Sequence, residues 1–353
     1  MVSRLIRRIN RSAQVLLTGQ VDNGKRDEIP PINLDEVAEA KQFFPMEKFF
    51  IFGHARSGTT LLTRLVRLHP EVHCNYQAHF FSRPPLLQGL VADKEIGRWF
   101  TRSSNRWNRQ RDLSPVVLRA VSDFILERDA RREGKIVVGD KSPNSLLNGE
   151  AVHKLFNIYP DARLIFLVRD GRDAALSHRI QSFIDNPDKL SRDDKEILQS
   201  FIQDSKPYLT GKRSIFTRKG IIQAANGWVD NVVETDKIGR QLFGDSYHSM
   251  RFEDMLTLPR EEMVRLWSFL DVDTDIPGLF DTVTDELTRN PDADWQHEKA
   301  SQIAKSLIKG KHGSWRDMFT QRDMQIFYQI AGNTLNSWGY DDNITDRDGE
   351  VKL

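Results

Sequence analysis

Two glycines, Gly53 and Gly58, stand five residues apart between a short apolar run and a run of helical periodicity. The first run, Lys48-Phe49-Phe50-Ile51-Phe52, is closed by glycine, as expected for a strand buried on both faces. After the loop His54-Ala55-Arg56-Ser57-Gly58-Thr59-Thr60, the residues Leu61, Leu62, Leu65, Val66 and Leu68 recur at helical spacing. The order strand, glycine-bounded loop, helix repeats along the chain. Lys135-Ile136-Val137-Val138-Gly139 precedes a loop and a helix near residues 148–158. Arg163-Leu164-Ile165-Phe166-Leu167-Val168 precedes Arg169-Asp170-Gly171 and a helix through about Arg179. A fourth strand is predicted over 247–252, and helices over 114–130, 220–243, 259–270 and 320–337. Strands that alternate with helices predict an α/β fold of three layers, a central parallel β-sheet flanked by helices.

At 353 residues and 39% hydrophobic content, the chain can bury a core of its own. Lysine plus arginine number 51 and aspartate plus glutamate 50, a net charge of +1, so any charge signal must be local. A neutral chain without a recognised nucleic-acid motif argues against a nucleic-acid partner. The single cysteine, Cys74, excludes an internal disulfide and a zinc site built from several cysteines, and it is compatible with a reducing compartment. No stretch reaches the ~18 apolar residues of a membrane span, and Val15-Leu16-Leu17 is too short for a secretory signal core. A cytoplasmic location is therefore expected.

Residues 1–46 read as an N-terminal basic extension and linker, 47–343 as one domain, and 344–353 as a polar tail. Arg4, Arg7, Arg8 and Arg11 alternate with Val2, Leu5, Ile6 and Ile9. Such a segment suits packing on its own domain, or peripheral contact with an anionic membrane through residues 1–21. Ile29-Pro30-Pro31-Ile32 reads as the linker, and the polar residues 184–212 as a mobile lid or an insertion. Oligomeric state is not legible.

The loop between Gly53 and Gly58 has the makings of an anion cradle, because backbone N–H groups at a helix N-terminus point at an anion and the helix dipole adds attraction. It departs from the nucleotide-hydrolysing P-loop. There, a lysine and then serine or threonine follow the second glycine; here, those positions hold Thr59 and Thr60, and the cation is Arg56 inside the loop. That suits binding of a phosphate or phosphosulfate better than hydrolysis of a magnesium nucleotide.

Gly53-His54-Ala55-Arg56-Ser57-Gly58-Thr59-Thr60-Leu61-Leu62 resembles the 5′-phosphosulfate loop of the sulfotransferases that use 3′-phosphoadenosine 5′-phosphosulfate (PAPS). With arginine in the loop and His69-Pro70-Glu71-Val72 after it, the likeness is greatest to the tyrosylprotein and bacterial branches. Arg169 and Ser177, eight residues apart, match the arginine and serine of the family's 3′-phosphate motif, and a guanidinium fork with a hydroxyl is a sound phosphate clamp. Lys309-Gly310-Lys311-His312-Gly313-Ser314-Trp315 resembles the late basic loop that closes over that phosphate. The resemblance, over residues 48–340, implies a P-loop-like fold and PAPS as sulfuryl donor, with PAP as product and no metal. It implies donor binding by Ser57, Gly58, Thr59, Thr60, Arg169, Ser177, Lys309 and Gly310. Arg56 would neutralise charge on the leaving phosphate or the sulfonate. Lys141, in Gly139-Asp140-Lys141-Ser142-Pro143, resembles the second lysine of the tyrosylprotein and heparan enzymes and would serve the sulfonate or bridging oxygen. Two separate basic pockets, around Arg56 and around Arg169, would grip opposite ends of one donor.

The acceptor hydroxyl needs a general base. The heparan enzymes carry a glutamate where this chain reads Gln77-Ala78-His79-Phe80-Phe81, and an amide cannot take the proton. His79 is the next candidate, since imidazole titrates near neutrality, and His54 a lesser one. Arg98, Arg102, Arg106 and Arg109 would share one helical face beside Trp99, Phe100 and Trp107 and could grip an anionic or aromatic acceptor, or form a solvated face. Glycan, tyrosine, lipid and small-molecule acceptors all stay open. The competing classes are a P-loop kinase or NTPase, and a nucleotide-binding module without transferase activity.

Overall fold

The structure is a computed structural model that describes residues 26, 28–102, 104, 106–144, 146–289 and 312–340. The basic N-terminal segment, Lys309, Gly310 and the C-terminal tail lie outside the described residues. In chain order the elements are α1 (Leu34–Phe43), β1 (Glu47–Gly53), α2 (Thr59–Val66), β2 (Val72–Tyr76), α3 (Lys94–Thr101), α4 (Ser114–Arg132) and β3 (Val137–Lys141). Then follow α5 (Glu150–Phe156), β4 (Arg163–Val168), α6 (Gly171–Asp185), α7 (Arg192–Gln203), α8 (Arg218–Phe243), β5 (Tyr247–Arg251), α9 (Pro259–Phe269), α10 (Leu279–Arg289) and α11 (Gln321–Ser337). Short helical turns link several of them.

The five strands pair in the order β2-β3-β1-β4-β5, all parallel, so β1 lies at the centre. Its side chains alternate between two cores. Phe50 and Phe52 join Leu164, Phe166 and Val168 of β4 on the face covered by α8, where Trp228 and Val232 are buried. Phe49 and Ile51 join Ile165 and Leu167 on the opposite face with Leu62, Leu65 and Val66 of α2 and Leu266 and Trp267 of α9. Each fully buried phenylalanine contributes roughly 1.5–3 kcal/mol. Gly139 of β3 leaves room for the Phe49 ring, whose atoms would lie 2.5 Å from a Cβ placed there. The predicted fold is therefore present, with the expected strands found as β1, β3 and β4, β3 running two residues past Gly139 to Lys141.

Strand β2 is not legible from hydrophobic pattern, because His73 and Asn75 interrupt it. Both are satisfied by the neighbouring helix: His73 Nδ1 lies 2.9 Å from Glu133 Oε2, and Asn75 Nδ2 donates to the Leu126 carbonyl. Preceding it, His69 Nδ1 accepts from the Glu71 N–H at 3.1 Å and Nε2 lies 2.6 Å from the Asp273 carbonyl, which fixes the chain's turn into β2.

Residues 184–212 form short helices that pack on the core. Ser191 caps α7, and Leu198, Phe201 and Tyr208 are buried in the core on the α8 side. The arginine stripe differs from expectation. Helix α3 ends at Thr101 and Arg102 turns extended, so Arg106 and Arg109 do not continue its face, whereas the rings of Trp99, Phe100 and Trp107 do cluster. Among the described residues no helix is long and apolar enough to cross a membrane.

Candidate functional site

Because the strands are parallel, β1, β3 and β4 deliver Gly53, Lys141 and Val168 to the same edge of the sheet. The loop after β1 turns through left-handed backbone at Arg56 (φ 71°) and Gly58 (φ 89°). Gly58 is the N-cap of α2 and supplies no side-chain cap, so the first-turn N–H groups stay directed into the loop. A Cβ at Gly58 would sit 2.2 Å from the Phe252 ring, which makes glycine obligatory there for space as well as conformation. Inside the loop, Ser57 Oγ is buried with no hydrogen-bond partner among the described residues.

Arg56, Arg169 and Ser177 are brought together. Arg56 Nε donates to Ser177 Oγ at 3.1 Å, and Arg169 Nη1 donates to the Arg56 carbonyl at 3.1 Å. The Arg169 guanidinium lies 4.7 Å from the centre of the Phe252 ring, and Trp228 Nε1 donates to its carbonyl at 3.1 Å. One ring, Phe252, therefore shapes both the glycine loop and the arginine seat. Arg56 and Arg169 are thus in direct contact, not at the centres of two separate pockets as expected.

The rest of the Arg169-Asp170-Gly171-Arg172-Asp173 motif holds this arrangement. Asp170 caps α6 and pairs with the Arg172 guanidinium at 2.8 Å, and Arg172 also donates to the Tyr340 carbonyl and covers the Trp315 ring at 3.7 Å. Gly171 fits under Trp228. Asp173 accepts from the N–H groups of Gly313 and Trp315, which secures the chain just after Lys309 and Gly310. Glu253 accepts from the Asp170 N–H and from the Tyr340 hydroxyl.

Lys141 is buried at the end of β3, with Nζ donating to Thr60 Oγ1 at 3.3 Å and lying 5.4 Å from the centre of the Tyr76 ring. It thus reaches the same helix terminus that the glycine loop opens.

Gln77 and His79 both adopt left-handed backbone, at φ 57° and 52°. The turn they form is fastened to the end of β3 by three successive N–H groups. Gln77 donates to the Lys141 carbonyl at 2.7 Å, Ala78 to Asp140 Oδ1 at 3.0 Å, and His79 to Ser142 Oγ at 2.9 Å. Ser142 Oγ in turn donates to Asp140 Oδ2. His79 Nδ1 lies 2.9 Å from Ser82 Oγ. Burial, then Arg83 and Lys141, lower the His79 pKa from its ordinary value, so the imidazole is neutral at pH 7. Burial pushes the Asp140 carboxyl up to about 6. His54 is lowered to about 4 by burial and by His178, which makes it a poor proton acceptor. Asp140, Ser142 and Asp173 were not assigned from sequence, although each stands inside a motif already singled out.

A sequence model described as "Sulfotransferase family" matches residues 48–276. The protein-tyrosine sulfotransferase of Drosophila melanogaster is 28% identical over 230 residues, covering 64% of this chain and 38% of that one. Protein-tyrosine sulfotransferase A of Caenorhabditis elegans is 32% identical over 134 residues, covering 35% and 30%. The chain thus spans 30–38% of the length of these two relatives. A crystal structure of a mouse sulfotransferase complexed with PAP superimposes with a TM-score of 0.45 at 14% identity, covering 83% of this chain and 88% of that chain.

Proposed function

This chain belongs to the sulfotransferase family, and from that premise we propose that it moves a sulfuryl group from PAPS to a hydroxyl of its acceptor. The observation that carries the reading is the convergence of Arg56, Arg169 and Ser177 beside the uncapped N-terminus of α2. Two guanidinium groups, a hydroxyl and a row of backbone N–H groups suit a ligand with more than one phosphate-like anion. The orphaned Ser57 hydroxyl and the Gly58 cradle fit that ligand.

In this reading the N–H groups of Ser57, Gly58, Thr59 and Thr60 hold the 5′ end of the donor. Arg169 and Ser177 hold its 3′-phosphate, together with Lys309 and Gly310. When bound, PAPS supplies an activated sulfuryl group whose departure leaves charge on the 5′-phosphate. Arg56, placed between the two ends, counters that charge, and Lys141 serves the sulfonate side through its position at Thr60. His79, neutral at pH 7, takes the acceptor's proton. Gln77 cannot, because an amide has no basic site.

The test is incubation of the protein with labelled PAPS and the acceptor pool of a cell extract. Transfer of label, with a mass increase of one SO₃ group on a hydroxyl-bearing product, is expected with or without a magnesium chelator. Absence of transfer, or a requirement for magnesium and a nucleoside triphosphate, would replace this reading with a binding module or a kinase.

A further inference from the structure

The Gln77–Ala78–His79 turn carries two non-glycine residues in left-handed backbone, a conformation that costs free energy at each. It is held by a chain of hydrogen bonds with fixed polarity. An ionised carboxylate can only accept. Asp140 therefore receives the Ala78 N–H on one oxygen and the Ser142 hydroxyl on the other. With its proton committed to Asp140, Ser142 Oγ presents lone pairs to the His79 N–H. Lys141, between these two residues, closes the bracket by accepting the Gln77 N–H on its carbonyl. The candidate base and the buried lysine are thus mounted on one three-residue fixture, and Asp140 itself is 1% exposed.

We propose that Asp140, acting with Ser142, is a positioning residue that sets His79 against Lys141 for proton removal from the acceptor. This rests on the reading of His79 as base. Asp140 has no role toward the donor in this account, since its two oxygens are occupied by Ala78 and Ser142. Asparagine at 140 would keep an acceptor for Ala78 but would turn an N–H₂ donor toward Ser142. The hydroxyl would then lose its acceptor, and its hold on the His79 N–H would loosen.

The experiment is a mutant cycle on the full chain, with Asp140→Asn, Ser142→Ala, His79→Ala and the two double variants made with His79→Ala. Turnover is read with labelled PAPS and the acceptor pool of a cell extract, and PAP affinity by calorimetry. Asp140→Asn and Ser142→Ala are each expected to lower turnover by about tenfold to a hundredfold, the cost of misplacing a catalytic group by about 1 Å. PAP affinity should stay within about twofold, and adding either change to His79→Ala should lower turnover by no more than about twofold. An equal loss in both backgrounds, or full turnover in the single variants, would show that Asp140 does not act through His79 and overturn the inference while leaving the base in place. Unchanged turnover in His79→Ala would overturn the base reading itself, and the inference with it. Should Asp140→Asn fail to fold, Ser142→Ala runs the same cycle.

Discussion

Arg56 Nε donates to Ser177 Oγ at 3.1 Å across 121 residues of sequence. The contact joins the loop after β1 to the helix after β4, two elements that only the parallel sheet brings side by side. It makes one basic surface of two motifs that are remote in the chain. A ligand that engages Ser177 is thereby in reach of Arg56.

Ser177→Ala should weaken PAP binding without unfolding the protein. Removing a hydroxyl that bonds a charged phosphate costs about 1.5–3 kcal/mol, roughly a tenfold to hundredfold loss of affinity. Calorimetry checks it, and unchanged affinity would place the 3′-phosphate elsewhere.

Gly58→Ala should cost both stability and donor binding. The added methyl would meet the Phe252 ring at 2.2 Å in a backbone region unfavourable to alanine. Strain and overpacking together are worth about 2–4 kcal/mol. Phe252→Leu in the same chain should return part of the stability in denaturant titration, because the ring is the obstacle, but little of the binding, because Arg169 loses its seat.

His54 should lower stability as pH drops from about 6.5 towards 4. Its folded pKa, about 4, lies below the ordinary value of 6.5, so the unfolded chain takes up a proton in this window that the folded chain refuses. The contribution is present above the unfolded value and is lost as pH falls through the folded one. The denaturant midpoint of His54→Gln should therefore rise relative to that of the native chain as pH falls from about 6.5 towards 4. Asp140 has the opposite sign. Its pKa of about 6 lies above the ordinary 3.8, so its contribution is lost as pH rises through 6.

His69→Ala should destabilise the fold with little effect on PAP affinity. The ring serves the Glu71 N–H and the Asp273 carbonyl and is fully buried. Each partner left unsatisfied costs about 1–3 kcal/mol. A large loss of binding with unchanged stability would give His69 a place in the site instead.

The central strands were legible because Phe49–Phe52 and Leu164–Val168 are apolar on both faces, a pattern that few other environments tolerate. The anion loop was legible because glycine spacing and a following helix are local features. Edge strand β2 was not, since His73 and Asn75 are acceptable there only because α4 offers them partners from distant sequence. Neither was the arginine stripe: periodicity at 98, 102, 106 and 109 does not reveal that the chain leaves helix at Arg102. The Asp140–Ser142 fixture stayed hidden for a similar reason. Its meaning lies in backbone N–H groups more than sixty residues away, at Ala78 and His79.

The most direct measurement compares binding of adenosine 3′,5′-bisphosphate and adenosine 5′-phosphate by calorimetry, in the native chain and in Arg169→Ala. The bisphosphate should bind at least about tenfold more tightly to the native chain, as a charge-assisted phosphate contact requires, and that preference should vanish in the variant. Equal affinity for the two nucleotides in the native chain would contradict the account.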